Sequence, residues 1–106
     1  MRLFVYGTLL DPSCVQRVTG RRFSSRAGTL HGWIRTTGGH GYPVIHPVAG
    51  GRVTGLVLDG IDGQALRSID AYEEEGRLYL RKTVYVTIDG YSTACDTYVA
   101  PTPRVL

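Results

Sequence analysis

Residues 78–88 alternate almost without fault between two faces. Leu78, Leu80, Val84, Val86 and Ile88 share one side of an extended chain, and Tyr79, Arg81, Thr83, Tyr85 and Thr87 share the other. A period of two excludes a helix there, because helical apolar positions recur every three to four residues. Asp89-Gly90 follows at once and suits a type I′ turn, so residues 91–100 should return antiparallel. A lone hairpin is marginal in water, so this one must belong to a larger sheet or pack on helices.

The remaining elements are shorter. Arg2 to Tyr6 reads as a buried strand that stops at Gly7. Pro12 suits the first turn of a short helix capped by Asp11 and ending near Gly20. Ser24 to Arg35 carries Ala27, Leu30 and Trp33 among glycines and predicts a bent strand with bulges. Gly38, Gly39, Gly41 and Pro43 mark a loop, and Arg52 to Leu58 another strand. A helix follows from Asp62, a good N-cap, to Tyr72 or Glu73.

No repeat, linker or low-complexity segment interrupts this order. With 106 residues, 14 of them glycine, the expectation is a single domain over 1–106 in which strands and turns dominate. Its class is α+β: a small mixed, mostly antiparallel curved sheet or β-barrel with two short flanking helices.

Several function classes drop away. No apolar run approaches the roughly 20 residues of a membrane span, and Met1-Arg2-Leu3 leads into a strand pattern instead of a secretory signal. The cytoplasm is the expected location, with no membrane partner. The formal charge is +3, but Arg17, Arg21, Arg22 and Arg26 form the one basic cluster and no nucleic-acid motif accompanies it. A solvated face is expected, with no nucleic-acid partner; a binding role would show as strongly salt-dependent affinity. Cys14 and Cys95 lie far apart in no CxxC pattern, so buried free thiols are expected. His31, His40 and His46 are not spaced as metal ligands, which leaves no metal or cofactor indicated.

Two segments can carry chemistry. If Leu66 and Ile69 form the buried stripe of the second helix, Tyr72 and Glu73 continue it, since Glu73 lies four residues after Ile69. Glu74 then follows Arg67 and Asp70, and Glu75 follows Ser68 and Ala71, both toward solvent. An inward carboxylate at a helix C-terminus has a raised pKa from burial and from the helix dipole. Read by charge alone, the run is equally a solvated helix end. The other segment is Tyr6-Gly7-Thr8-Leu9-Leu10, where a strand stops and the following amides are left to bind an oxygen, although a plain turn has the same sequence. Gly7 is expected to follow a path that a side chain would obstruct.

Taken in order, MRLFVYGTLL, LHGW, GYPVI and IDAYEEEGRLYLRKTVYV resemble the segments of the γ-glutamylcyclotransferase-like family, which includes the γ-glutamylamine cyclotransferase and AIG2-like proteins. The resemblance covers most of the chain. It implies a small mixed barrel in which Tyr6, Gly7, Thr8 and Leu9 bind a small-molecule γ-glutamyl substrate and Glu73 is the general base. The implied reaction is attack of the substrate's α-amine on its own γ-carbonyl, releasing 5-oxoproline and an amine without metal or cofactor. The family pattern has a glycine where this chain has Glu74. Tyr42, Tyr79 and Tyr98 are readable either as pocket wall or as packing. A binding or regulatory module on the same fold stays open, as do the leaving amine and the oligomeric state.

Overall fold

The computed structural model describes residues 1–101; the expected domain runs on to residue 106, so 102–106 lie outside the described part. The elements are β1 (Leu3–Val5), a 3-10 turn (Thr8–Leu10), α1 (Pro12–Thr19), β2 (Ser25–Thr37), β3 (Pro43–Leu58), α2 (Gly63–Glu73), β4 (Leu80–Ile88) and β5 (Tyr91–Val99). The strands close into a barrel in the order β1-β3-β2-β4-β5. The α+β class holds, with two short helices on a curved sheet. No helix among the described residues is long and apolar enough to cross a membrane.

Local chemistry explains the boundaries. Asp11 caps α1 by accepting the Ser13 amide, Pro12 supplies the first helical φ, and Gly20 ends the helix at φ 76°. Asp62 caps α2 by accepting from the Ala65 amide at 2.9 Å. Asp89 and Gly90 take φ of 50° and 81°, the twin positive values of a type I′ turn, and β4 and β5 pair without a break from Leu80↔Val99 to Ile88↔Tyr91.

The strands are longer than their sequence pattern. Only Arg52–Leu58 reads as a strand, yet β3 begins at Pro43 because β2 supplies a second run of partners, from Trp33↔Pro47 to Thr37↔Pro43, beyond the run from Ser25↔Leu58 to His31↔Arg52. Cross-strand pairing overrides the poor propensity of Pro43 and Pro47. The predicted bulge sits between His31 and Trp33, where Gly32 takes φ 85°.

Alternation then divides the apolar residues between two layers. Phe4, Tyr6, Leu30, Ile45, Val53, Val57, Val84, Val86 and Ile88 fill the barrel. Leu3, Val5, Leu9, Val15, Leu58, Ala65 and Ile69 pack between the barrel wall and the helices. Each large side chain fully buried here contributes about 1.5–3 kcal/mol over an exposed one. Cys14 and Cys95 are free thiols, and both are buried.

Two seams of the barrel carry a single register pair each, β2 with β4 at Thr29↔Thr87 and β1 with β5. Only Leu3 pairs with Asp96, in parallel. Beyond it, side-chain hydroxyls replace the ladder: Thr97 Oγ1 donates to the Phe4 carbonyl at 2.9 Å, and the Tyr6 hydroxyl donates to the Tyr98 carbonyl at 2.5 Å. A ladder that stops early leaves room beside the end of β1, and the cavity described next opens there.

Candidate active site

The cavity has a volume of about 180 Å³ and is walled by Phe4 to Leu9, Tyr42, Pro43, Tyr72, Glu73, Glu74, Leu78, Tyr79 and Tyr98. Tyr6, Gly7, Thr8, Leu9 and Glu73 thus come together in one place, although 64 residues of sequence separate Leu9 from Glu73. Tyr42, Tyr79 and Tyr98, which sequence left between wall and packing, all line it.

Glu73 is the last residue of α2. Ala65 and Ile69 are buried, so the line Ala65–Ile69–Glu73, at steps of four, is the inner stripe of the helix. Tyr72, expected on the buried stripe, is instead 43% exposed, because the stripe runs through Ala65 and not Leu66; its hydroxyl meets Thr8 Oγ1 at 2.8 Å and lies 3.5 Å from Cys14 Sγ. That bond ties the end of α2 to the 3-10 turn.

No donor among the described residues reaches the Glu73 carboxyl. Burial in the apolar wall is what raises its pKa, from 4.5 to about 7, because leaving water penalises the charged form. The same carboxylate helps raise the phenols of Tyr6, Tyr79 and Tyr98, although burial is the larger cause for each; Tyr79 is pushed up to about 12. All three therefore stay protonated at neutral pH and act as hydrogen-bond donors. Tyr79 donates to the Pro43 carbonyl at 2.6 Å, and Tyr98 to Asp70 Oδ1 at 2.6 Å. Asp70 also pairs with Arg81 at 3.1 Å, and Arg81 with Asp96 at 2.9 Å, so an ion-pair chain fastens α2 to the hairpin.

Glu74 explains its own oddity. It follows the helix at φ 52°, the left-handed conformation. Its amide donates to the Ala71 carbonyl and the Glu75 amide to the Asp70 carbonyl, the two bonds of a Schellman end. Glycine is favoured at such a position because it lacks the Cβ that clashes there. Arg77 compensates by donating to Glu74 Oε1 through Nε at 3.0 Å. Glu74 and Glu75 are exposed.

Two expectations need correction. Tyr79 falls on the polar side of the alternating run, yet it is buried. It shares the outer layer with Tyr98, which stands opposite Arg81, and that face is covered by the helices there instead of meeting solvent. Gly7 is not forced by crowding: a Cβ there would lie 3.6 Å from Pro43 Cγ, an ordinary contact, and φ is −127°. What a side chain at Gly7 would take up is cavity space, since Gly7 and Pro43 both belong to the wall.

Sequence reasoning missed Arg35. Its Nη1 donates to the Tyr6 carbonyl at 2.6 Å, across the barrel mouth. The glycine bulge upstream was the available signal, because it changes which side chains face inward.

The structure is thus a small closed barrel with one helix-borne carboxyl, raised by burial, lining the same cavity as a glycine-containing loop. The chain belongs to the family described as gamma-glutamyl cyclotransferase, AIG2-like, whose profile matches residues 3–105. It is similar to AIG2-like protein C of Arabidopsis thaliana, 37% identical over 100 residues that make up 92% of this chain and 57% of that one. A solution structure of another Arabidopsis thaliana protein superposes with a TM-score of 0.82 at 34% identity, covering 93% of this chain and 67% of the other. A gamma-glutamyl cyclotransferase shares the fold, with a TM-score of 0.77 at 19% identity over 95% of this chain and 66% of its own. The chain spans about half the length of the curated relatives it matches, 57% of one and 50% of another.

Proposed function

We propose that the chain is a γ-glutamylcyclotransferase-type enzyme, which converts a γ-glutamyl amine or peptide to 5-oxoproline and a free amine. The substrate's γ-glutamyl group sits against Tyr6, Gly7, Thr8 and Leu9, with its α-ammonium beside Glu73. Glu73 takes a proton from that ammonium. The neutral nitrogen attacks the γ-carbonyl carbon, forming the ring bond of the lactam and a tetrahedral oxyanion. As the bond to the leaving nitrogen breaks, that nitrogen takes the proton held by Glu73, and the ring nitrogen gives up its extra proton through the freed carboxylate to the released amine, which departs as an ammonium.

Nucleophile and electrophile share one molecule, and well-oriented intramolecular attack reaches effective molarities of roughly 10⁵–10⁸ M. Orientation, proton transfer and charge stabilisation are what remain for the protein to supply. The observation that carries the reading is Glu73: an acid in an apolar cavity whose pKa is raised to about 7, where a base works best at neutral pH. Thr8, Leu9 and Gly7 supply the facing amides. Leu10 and Asp11 close the turn onto the Gly7 and Thr8 carbonyls, while no acceptor among the described residues takes the N–H groups of Gly7, Thr8 or Leu9.

The test is a panel of γ-glutamyl amines and γ-glutamyl dipeptides, with 5-oxoproline release followed by chromatography. Turnover of at least one member, abolished by Glu73→Gln, is the expected result. Binding without turnover across the panel would leave a ligand-binding module and refute the enzyme.

A further inference from the structure

We infer that Arg35 is a positioning residue for this reaction: it holds the Tyr6 carbonyl so that the N–H of the same peptide, on Gly7, faces the cavity as a donor to the developing oxyanion. The inference rests on the cyclotransferase reading of the preceding subsection.

Gly28 and Leu30 are buried positions of β2, so unbroken alternation would turn residue 34 inward and leave Arg35 outside. Between His31 and Trp33, where Gly32 takes φ 85°, β3 carries residues 48–51 against Gly32 alone, so the register slips and the regular alternation of β2 is broken. Beyond Gly32, Arg35 stands opposite Ile45. Directly opposed residues of antiparallel strands share a face, and Ile45 is fully buried inside the barrel. A charged side chain is thereby aimed over the barrel mouth, and it ends on the Tyr6 carbonyl at 2.6 Å.

That carbonyl belongs to the peptide that opens the loop. A trans peptide is planar and points its C=O and N–H in opposite directions. Tyr6 and Gly7 belong to the cavity wall and Arg35 does not, so the carbonyl is turned from the cavity toward the guanidinium and the Gly7 N–H is turned the other way. No described residue accepts from that N–H. Among the described residues Arg35 has no carboxylate partner, so its charge acts on the peptide without a competing anion. A charged donor on a carbonyl polarises the whole amide and makes its N–H a stronger donor in turn.

The test compares the wild type with Arg35→Met, which keeps the stem but loses donor and charge, and with Arg35→Lys, which keeps both in reduced form. For a turned-over γ-glutamyl substrate, Arg35→Met should lower kcat roughly 10- to 100-fold and leave KM within a few-fold. Removing an oxyanion donor outright costs about 10²–10³, so losing its support costs less. Arg35→Lys should restore most of kcat. In the same variants without substrate, the Gly7 amide resonance should move with Met and return toward wild type with Lys, while the amides of residues 87–92 stay in place. An unchanged kcat, an effect confined to KM, or an unmoved Gly7 resonance each overturns the proposal. Movement of the hairpin amides as well would overturn it in favour of a merely structural role. If the wild type turns over nothing, the cyclotransferase reading fails, and the catalytic part of this proposal with it; a failure of the positioning alone shows instead as an active wild type with an indifferent Arg35→Met.

Discussion

Glu73→Gln should give a protein that is nearly inactive yet more stable than the wild type at alkaline pH. Burial raises the Glu73 carboxyl from 4.5 to about 7 in the folded chain. Between those two values the folded protein holds a proton that the unfolded chain has released, so stability falls as pH rises through that window. At 1.36 kcal/mol per pH unit, the loss reaches roughly 3 kcal/mol once both states are deprotonated. Glutamine has the same shape and carries no charge at any pH. The variant and the wild type should therefore unfold alike near pH 4, and the variant should be favoured by roughly 3 kcal/mol at pH 8. Urea titrations at pH 4, 6 and 8 would measure this, with the fluorescence of Trp33, the single tryptophan, as probe. In the wild type, turnover should rise with pH through the Glu73 titration and continue toward the α-ammonium pKa at roughly 8. In the variant it should fall at least about 10²-fold. A stability difference that stays constant with pH would refute the buried carboxyl. If Glu74→Gln is the dead variant and Glu73→Gln is active, the base is one residue further along.

Other substitutions probe the surroundings. Glu74→Gly should stabilise the chain by roughly 1 kcal/mol, read as a shift in the urea midpoint, because it removes a left-handed residue with a Cβ at φ 52°. Gly7→Val should fold normally, since its Cβ meets Pro43 at 3.6 Å, but should abolish binding of γ-glutamyl ligands in calorimetry by filling the cavity wall. Undiminished binding would remove the loop from the site. Replacing Arg21 and Arg22 with Ser should leave turnover within a few-fold, because Arg21 pairs with Asp62 and Arg22 with Gln16 outside the cavity wall. A collapse of turnover would assign those arginines to an anionic ligand.

Much of this was legible in the sequence, for local physical reasons. The hairpin follows from a period of two and a dipeptide that takes twin positive φ. The helix limits follow from Asp11, Pro12, Gly20 and Asp62, each acting within a few residues of itself. Glu73 could be chosen from three successive acids because side chains four and seven apart share a helix face with the Leu66 and Ile69 stripe, of which Ile69 is buried and Leu66 half-buried. The resemblance of YGTL and of the Tyr72-Glu73 stretch then paired two distant segments that spacing alone could not join.

What tertiary structure alone decided concerns partners that local pattern does not encode. Residues 43–47 become strand because Trp33 to Thr37 of β2 lie beside them, although their own composition does not read as strand. Tyr79 is buried because the layer under the helices covers its face of the sheet, and Arg35 stands opposite the buried Ile45 because the register slips at Gly32, where residues 48–51 of β3 are left over. The raised pKa of Glu73 also belongs to this group. The sequence placed the carboxyl on an inward stripe, but only the closure of the barrel mouth by Tyr6, Tyr79 and Tyr98 withdraws it from water, and desolvation depends on neighbours from every element at once.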